Sequence, residues 1–473
     1  MKFMIFGTGK YFRRRKAQIA PDTEIVAYID NDRALQGQCI DGIPIILPCE
    51  ICRFSYDKIL LMSAKAEEMK EQLLETGHAE EDIWCWERYL SEKACGTFQF
   101  YCGNMKDVQG KKKILIISTD LGYNGGTIAA VYAAAALQNM NYSVVLAARA
   151  GDRKFIEETV KEGINIVLCP AFPYLHREEL YWISQFDAVV VNVFQMIQCA
   201  CDISRIRPVV WWIHEPGAAS ESIYPDIMRQ FGRCADRDKM KDIDIYAVSS
   251  IAKRNFNTYF PARIEKTLGY GIPDKGTETI QPMRHEKLIF AVVGGICPRK
   301  AQDIFIRAAA LLQEQEKKNA EFWLIGSIGD DAYSQKIYEL AEQEPGIKIR
   351  GLLTRTEMDE IYENIDVVVC PSLEDPLPIV MTEGMMYGKI CIVSEATGTA
   401  DYIVDEDNGL VCKKGDAEDL CRKMRWVMEH AGEWDRMRKR ARKTYEQHFT
   451  MDRFARRLEQ AVSESICNYG KER

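Results

Sequence analysis

Short apolar runs recur along the chain, each followed by a Gly- or Pro-marked turn and then by a longer stretch whose apolar residues return every three or four positions. Strands buried on both faces of a parallel sheet, alternating with covering helices, produce that pattern. Three blocks separate. The first predicts strands in KFMIFGTG from Lys2, TEIVAYID from Thr23 and DKILLMSA from Asp57. A helix from Ala66 stops at Gly77, and the aromatic segment IWCWERYL from Ile83 closes the block. A polar stretch from Gly103 to Lys113 reads as a linker. The second block opens with KKILIIST from Lys112 and continues through SVVLAARA, INIVLCPA, DAVVVNVF, VVWWIHE and IDIYAVSS. The third opens near Lys287 with KLIFAVVGG and continues through EFWLIGS, IKIRGLL, IDVVVCPS and KICIVSEA. Between them, GIPDKGTETIQPM has the Gly/Pro content of a hinge. After Glu433 the chain is helical and charged. The expected units are 1–104, 105–280 and 281–450, with a helical tail, 451–473, crossing back to the second block. The class is α/β: two facing doubly wound sheets plus a smaller one in front. Such sheets bind ligands in the cleft at the carboxyl ends of their strands.

Composition narrows the partners. A chain of 473 residues exceeds one core, and its apolar and charged shares, 47% and 28%, are those of a soluble protein. A net charge of −8 argues against nucleic acid, which demands a dominant basic face. Two local basic runs, Arg13 to Lys16 and RMRKRARK from Arg436, read as solvated helix faces; the sharper reading is peripheral contact with an anionic membrane surface or with a phosphate-bearing acceptor. No apolar stretch approaches the ~20 residues that span a bilayer. The N-terminus reads as a strand and lacks a small-residue cleavage site, and sixteen scattered Cys suit a reducing compartment. The expectation is cytoplasmic, at most at the inner face of the membrane. Cys49 and Cys52 form a CxxC without a second pair, so no metal site is expected there.

The most informative segment is PSLEDPLPIVMTEGMMYGKICIV from Pro371. A strand ends at Ser372, a loop carries Glu374 and Asp375, and a helix starts near Pro378, a residue type favoured in the first helical position. Glu383 lies further into that helix. The helix N-terminus offers amides and partial positive charge to an anion. A carboxylate beyond it can accept hydrogen bonds from the vicinal hydroxyls of a ribose, and a loop carboxylate can accept them from a sugar ring. On spacing alone, a helix cap at Glu374 or Asp375 and a surface charge at Glu383 fit as well.

The segment resembles the acidic donor-site motif of retaining glycosyltransferases of family 4, which have the GT-B fold of two facing Rossmann-like halves. The two acidic positions of that motif fall on Asp375 and Glu383, with Glu374, Leu377 and Ile379 beside them at the donor. Other segments follow in the family's order. STDLGYNGGTIAAVYAAAAL from Ser118 is similar to its opening strand, glycine loop and helix, which brings Gly125 and Gly126 to the donor. For WWIHEP the resemblance implies His214 in the cleft near the donor sugar, with Glu215 on the same wall; a satisfied core histidine is the bland alternative. GYGIPD, with Gly271 and Pro273, matches the end of the first half. VVGGICPRKAQDIFIRAA makes Lys300 the cation for the diphosphate, with Gly295 where the family usually has Arg and Arg299 supplying a compensating charge. EATGTADYIV resembles the loop that closes on the donor, implying phosphate contacts through the amides of Thr397, Gly398 and Thr399, with Asp401 at a usual acidic position.

The resemblance implies transfer of a sugar from a nucleotide-sugar donor to a glycan or lipid-linked acceptor, with retention, in bacterial surface polysaccharide synthesis. It implies no cofactor and no essential metal. Three departures bear on donor choice and activity: Asp375 is shorter than the usual Glu, Pro378 replaces a Gly, and Gly295 replaces a cation. The N-terminal block resembles the start of a dinucleotide-binding unit, with Gly7, Gly9 and Asp30, but Phe12 stands where the third Gly belongs. A structural or docking domain is the expectation there. The runner-up for the whole chain is a non-catalytic nucleotide-sugar-binding partner. A dinucleotide-linked oxidoreductase is disfavoured, because Tyr11 is followed four residues on by Arg15 instead of Lys.

Overall fold

A computed structural model describes residues 1–16, 19–20, 23–90, 92, 98–103, 111–170, 172, 180–215, 240, 242–259, 264–276, 280, 287–344 and 346–469. Among these residues three large sheets form. The N-terminal sheet runs Cys39–Ile40, Ile43–Ile46, Glu24–Ile29, Lys2–Phe6, Lys58–Leu61, Ile83–Cys85, parallel except for the hairpin of its first two strands. The second runs Lys266–Thr267, Ile243–Ala247, Val209–Ile213, Ala188–Asn192, Lys113–Ile117, Ser143–Ala148, Asn165–Leu168, Gln99–Tyr101. The third runs Ile347–Gly351, Ala320–Ile325, Leu288–Val293, Val367–Cys370, Ile390–Ser394, Leu410–Cys412, all parallel.

The central strands are the continuous apolar runs of the sequence. Ile114 to Ile117, Val189 to Val191 and Trp211 to Ile213 are fully buried, as helices on both faces require. The edge of the second sheet differs from expectation. Gln99–Tyr101, read as part of the N-terminal unit, pairs antiparallel with Asn165–Leu168. Its residues are exposed, so no alternating pattern marks them as a strand. Most of the linker (104–110) and of the hinge (277–279 and 281–286) lies outside the described residues.

Strand order fixes where a ligand can sit. In the third sheet the chain starts at Leu288–Val293, moves outward one way, then resumes on the other side at Val367–Cys370. The loops after these two strands diverge and open a crevice, the switch point of such a sheet. Those loops carry Lys300 and Asp375. The second sheet has its switch point between Lys113–Ile117 and Ala188–Asn192. The final helix, Met451–Tyr469, packs back on the second sheet: Phe454 stacks on Trp212, and Glu459 accepts a hydrogen bond from the Tyr142 hydroxyl at 3.1 Å. No described helix is long and apolar enough to cross a membrane. The basic run from Arg436 is largely spent internally. Arg436 pairs with Glu433 and Asp407, Arg438 is buried on the Gly388 carbonyl, Arg440 pairs with Asp407, and Arg442 pairs with Asp274.

Candidate active site

Lys300 ends a short 3-10 turn, Pro298–Lys300, that follows Leu288–Val293. Its ammonium donates to Asp375 Oδ2 at 2.5 Å, and Arg299 Nη1 approaches the same oxygen at 3.2 Å while donating to the Glu374 carbonyl at 2.9 Å. Asp375 is 6% exposed. A carboxylate so buried is tolerable only when paired, and two cations share it. Burial pulls the Lys300 pKa down, but the Asp375 charge and hydrogen bond outweigh it and the net shift is upward. Lys300 therefore carries its charge at neutral pH.

The Asp375 loop is clamped from behind. Its amide donates to the Ala396 carbonyl at 3.2 Å, and its carbonyl accepts from the Gly398 amide at 2.9 Å. This corrects an expectation. The Thr397 and Gly398 amides are already used, on Ser394 O and Asp375 O, and Thr397 and Thr399 are fully buried. Gly398 is glycine for close packing, since a Cβ there would lie 1.7 Å from the Pro376 carbonyl oxygen. Two of the three amides expected at phosphate are thus spent on the protein's own carbonyls, and through the Gly398 bond the segment helps position Asp375.

The helix that follows is Ile379–Met386, with Pro378 as its cap rather than its first residue. Glu383 lies just over one turn in and is partly exposed; its Oε2 accepts from the buried Tyr362 hydroxyl at 2.8 Å. Tyr270 sits between the two acids. Its hydroxyl donates to the Leu377 carbonyl at 2.9 Å, and burial, followed by the charges of Asp375 and Glu383, raises its pKa well above the usual tyrosine value.

The second sheet supplies the facing wall. Gly125 and Gly126 begin the helix Gly125–Asn139, capped by Asn124 accepting from the Thr127 amide at 3.0 Å. A Cβ on Gly125 would lie 3.9 Å from Ile379 Cδ1, so the glycine loop faces the start of the helix Ile379–Met386. Gly126 packs under Val193, and its carbonyl accepts from Asn192 Nδ2 at 3.0 Å. The Gly295 carbonyl is held by Gln302 at 3.1 Å. His214 directly follows the strand Val209–Ile213, with its ring 4.2 Å from that of Trp212. Its Nε2 is buried and meets no hydrogen-bond partner among the described residues, and burial takes its pKa down to about 3. The ring is a neutral group. Glu215 turns inward: its two oxygens accept from the Phe194 amide at 2.7 Å and the His214 amide at 3.0 Å, and burial pushes its pKa up to about 7 against those bonds.

Polar bridges join the two walls. Ser250 Oγ donates to Asp401 at 2.5 Å, and Asn255 donates to the Glu374 side chain, so Glu374 points at the opposite half. Lys300, Arg299 and Asp375 are in direct contact; Glu383 joins them through the same helix-and-loop unit; His214 stands on the opposite sheet. Sequence reasoning missed Tyr362, Tyr270 and Asn255. A tyrosine among the apolar positions of Arg355–Asn364 was the available signal, because its hydroxyl must find a partner when buried.

Residues 277–444 match the family of glycosyl transferases group 1. Residues 1–84 match a second family, C2185-like, N-terminal. The chain is 28% identical over 129 residues to the glycogen synthase of Haemophilus influenzae (strain 86-028NP), which is 26% of this chain and 25% of that protein. Over 143 residues it is 26% identical to the Escherichia coli UDP-Gal:alpha-D-GlcNAc-diphosphoundecaprenol alpha-1,3-galactosyltransferase, 30% of this chain and 36% of that one. It thus spans between 25% and 36% of the length of these curated relatives. Among solved structures it is similar to Anabaena HepE in complex with UDP and glucose, with TM-score 0.63 and 17% identity, covering 75% of this chain and 100% of that one. Sucrose-phosphate synthase from Thermosynechococcus elongatus gives TM-score 0.61 at 15% identity, over 76% of this chain and 100% of that one. The fold is GT-B, two facing Rossmann-like domains.

Proposed function

We propose that the chain is a glycosyltransferase that moves a sugar from a nucleotide-sugar donor to a glycan or lipid-linked acceptor with retention of anomeric configuration. The observation that carries this is the Lys300–Asp375 contact at the switch point of the third sheet, inside the region that matches glycosyl transferases group 1. The diphosphate takes the Lys300 ammonium, which has three donors and spends one on Asp375, with Arg299 and the N-terminus of Ile379–Met386 beside it. The C1–O bond to phosphate breaks, and the cations absorb the charge that builds on the leaving group. Asp375 faces the oxocarbenium-like sugar. The acceptor hydroxyl bonds to C1 on the face the diphosphate leaves, giving its proton to the departing phosphate oxygen. Neutral His214 on the facing wall hydrogen-bonds a hydroxyl of the sugar ring. In this scheme Lys300 and Arg299 supply the positive charge, and activity persists in a chelator. The acceptor reading extends to surface polysaccharide synthesis at the inner face of the membrane, supported by the lipid-linked substrate in the name of the Escherichia coli relative.

A thermal-shift screen of nucleotide-sugars, followed by product analysis on the best donor, tests the proposal. A melting point raised by one donor and nucleoside diphosphate released with an acceptor support it. Binding without turnover under any acceptor would make the chain a nucleotide-sugar-binding partner instead.

A further inference from the structure

We infer that Tyr362 is a positioning residue for Glu383: it sets the plane of the carboxylate expected at the donor's ribose, and with it the preference for a 2′-hydroxyl. This rests on the donor-site reading above. Tyr362 belongs to Arg355–Asn364 and is 1% exposed. Its hydroxyl donates to Glu383 Oε2 at 2.8 Å, with the Val380 carbonyl a longer alternative at 3.3 Å. Its ring stacks on Tyr387 with centroids 4.8 Å apart. The Tyr387 hydroxyl in turn donates to Asp359 Oδ1 at 3.0 Å, and Lys275 holds Asp359 Oδ2 at 2.5 Å. Lys275 lies in the segment that joins the two halves of the fold. One chain of contacts therefore runs from that segment to the carboxylate.

A carboxylate accepts about four hydrogen bonds, and Tyr362 supplies one of those on Glu383. What Tyr362 adds is orientation. A glutamate on a helix can turn about its terminal torsion, and ordering it on binding costs affinity. The tyrosine bond fixes the carboxylate plane before a ligand arrives. Burial, and then the Glu383 charge, hold the phenol far above its ordinary pKa, so it remains a donor across working pH. A carboxylate set in one plane discriminates between a ribose with both hydroxyls and one lacking the 2′-hydroxyl. A mobile one adapts to either.

The test is calorimetric titration of the full chain with paired ribo- and 2′-deoxyribonucleoside diphosphates: UDP and dUDP, GDP and dGDP, ADP and dADP. Wild type binds at least one ribo form and prefers it to its deoxy partner by about tenfold, the worth of a hydrogen bond to a charged group. Tyr362→Phe keeps the ring stack and weakens the ribo form about fivefold while leaving the deoxy form within about twofold. Glu383→Gln abolishes the preference, and the double variant is no worse than Glu383→Gln alone. Tyr387→Phe, one contact further out, moves the preference the same way and serves if Tyr362→Phe does not melt cooperatively. A Tyr362→Phe protein that keeps the tenfold preference, or weakens both forms equally, overturns the inference, as does a wild type indifferent to the 2′-hydroxyl. A wild type that binds none of the three ribonucleoside diphosphates overturns the donor-site reading itself.

Discussion

The N-terminal sheet and the third sheet place similar chemistry at the same topological position and use it differently. Each has glycine after its first strand and an acidic side chain at the carboxyl edge. In the N-terminal unit Gly7, at φ +102, lets the chain turn where a Cβ would lie 2.9 Å from the Met62 carbonyl oxygen. Asp30 then folds back: one oxygen accepts from the Thr8 amide at 3.0 Å and the Thr8 hydroxyl at 2.5 Å, and the other accepts from the Asp32 amide at 3.0 Å. Those hydrogen bonds, opposing burial, hold its pKa below the usual carboxylate value. The acid that would bind a ribose in a dinucleotide site is committed to its own loop. In the third sheet Asp375 is instead held by two cations that retain donors for a ligand. An edge whose polar groups satisfy one another is architecture; an edge whose charges keep capacity can take a ligand.

The sharpest way to break that contrast is Lys300→Ala. It should cost about 10²–10³ in kcat, or ~3–4 kcal/mol of transition-state stabilisation, read from nucleoside diphosphate release. A loss under tenfold would make the Lys300–Asp375 pair architecture too. Glu215 comes next. Its folded pKa of about 7 lies above its ordinary 4.5, so the folded state keeps a proton that the unfolded chain has already lost. Its contribution is most favourable below pH 4.5, is lost as pH rises to about 7, and is level above that, a total of about 3 kcal/mol. Glu215→Gln removes this slope. The stability difference between wild type and variant should fall across that window in denaturant titrations; a flat difference would show an unshifted carboxyl. Asp30→Ala is smaller: about 1–2 kcal/mol of stability, with transfer kinetics within about twofold of wild type. Lost transfer in that variant would give the N-terminal edge a functional role. Smallest is Asn255→Ala, which removes one hydrogen bond between Glu374 and the opposite half and should lower kcat/KM about two- to fivefold, under ~1 kcal/mol.

Much of this was legible in the residues, for physical reasons. Strands such as Ile114 to Ile117 and Val367 to Cys370 are buried on both faces, so they read as unbroken apolar runs. Lys300 and Asp375 are brought together by strand order, and the βα alternation that sets that order is written in the pattern. Edge elements carry weaker marks. Gln99–Tyr101 is exposed, and the hairpin Cys39–Ile40 with Ile43–Ile46 turns on Asp41-Gly42, both at positive φ, a signal confined to two residues. Contacts between distant segments, such as Tyr362 with Glu383 or Asn255 with Glu374, leave no periodic trace. The amides of Thr397 and Gly398 misled because a glycine in a loop permits both phosphate approach and tight packing, and only the Pro376 carbonyl beside Gly398 decides between them.

The central claim is that Lys300 and Glu383 act on one nucleotide-sugar at the switch point of the third sheet. The most direct measurement is the initial rate of nucleoside diphosphate release from the best donor, with acceptor present, for wild type, Lys300→Ala and Glu383→Ala, alongside their melting curves. The account predicts cooperative melting in all three and rates at least about a hundredfold lower in both variants. Folded variants that turn over like wild type would contradict it.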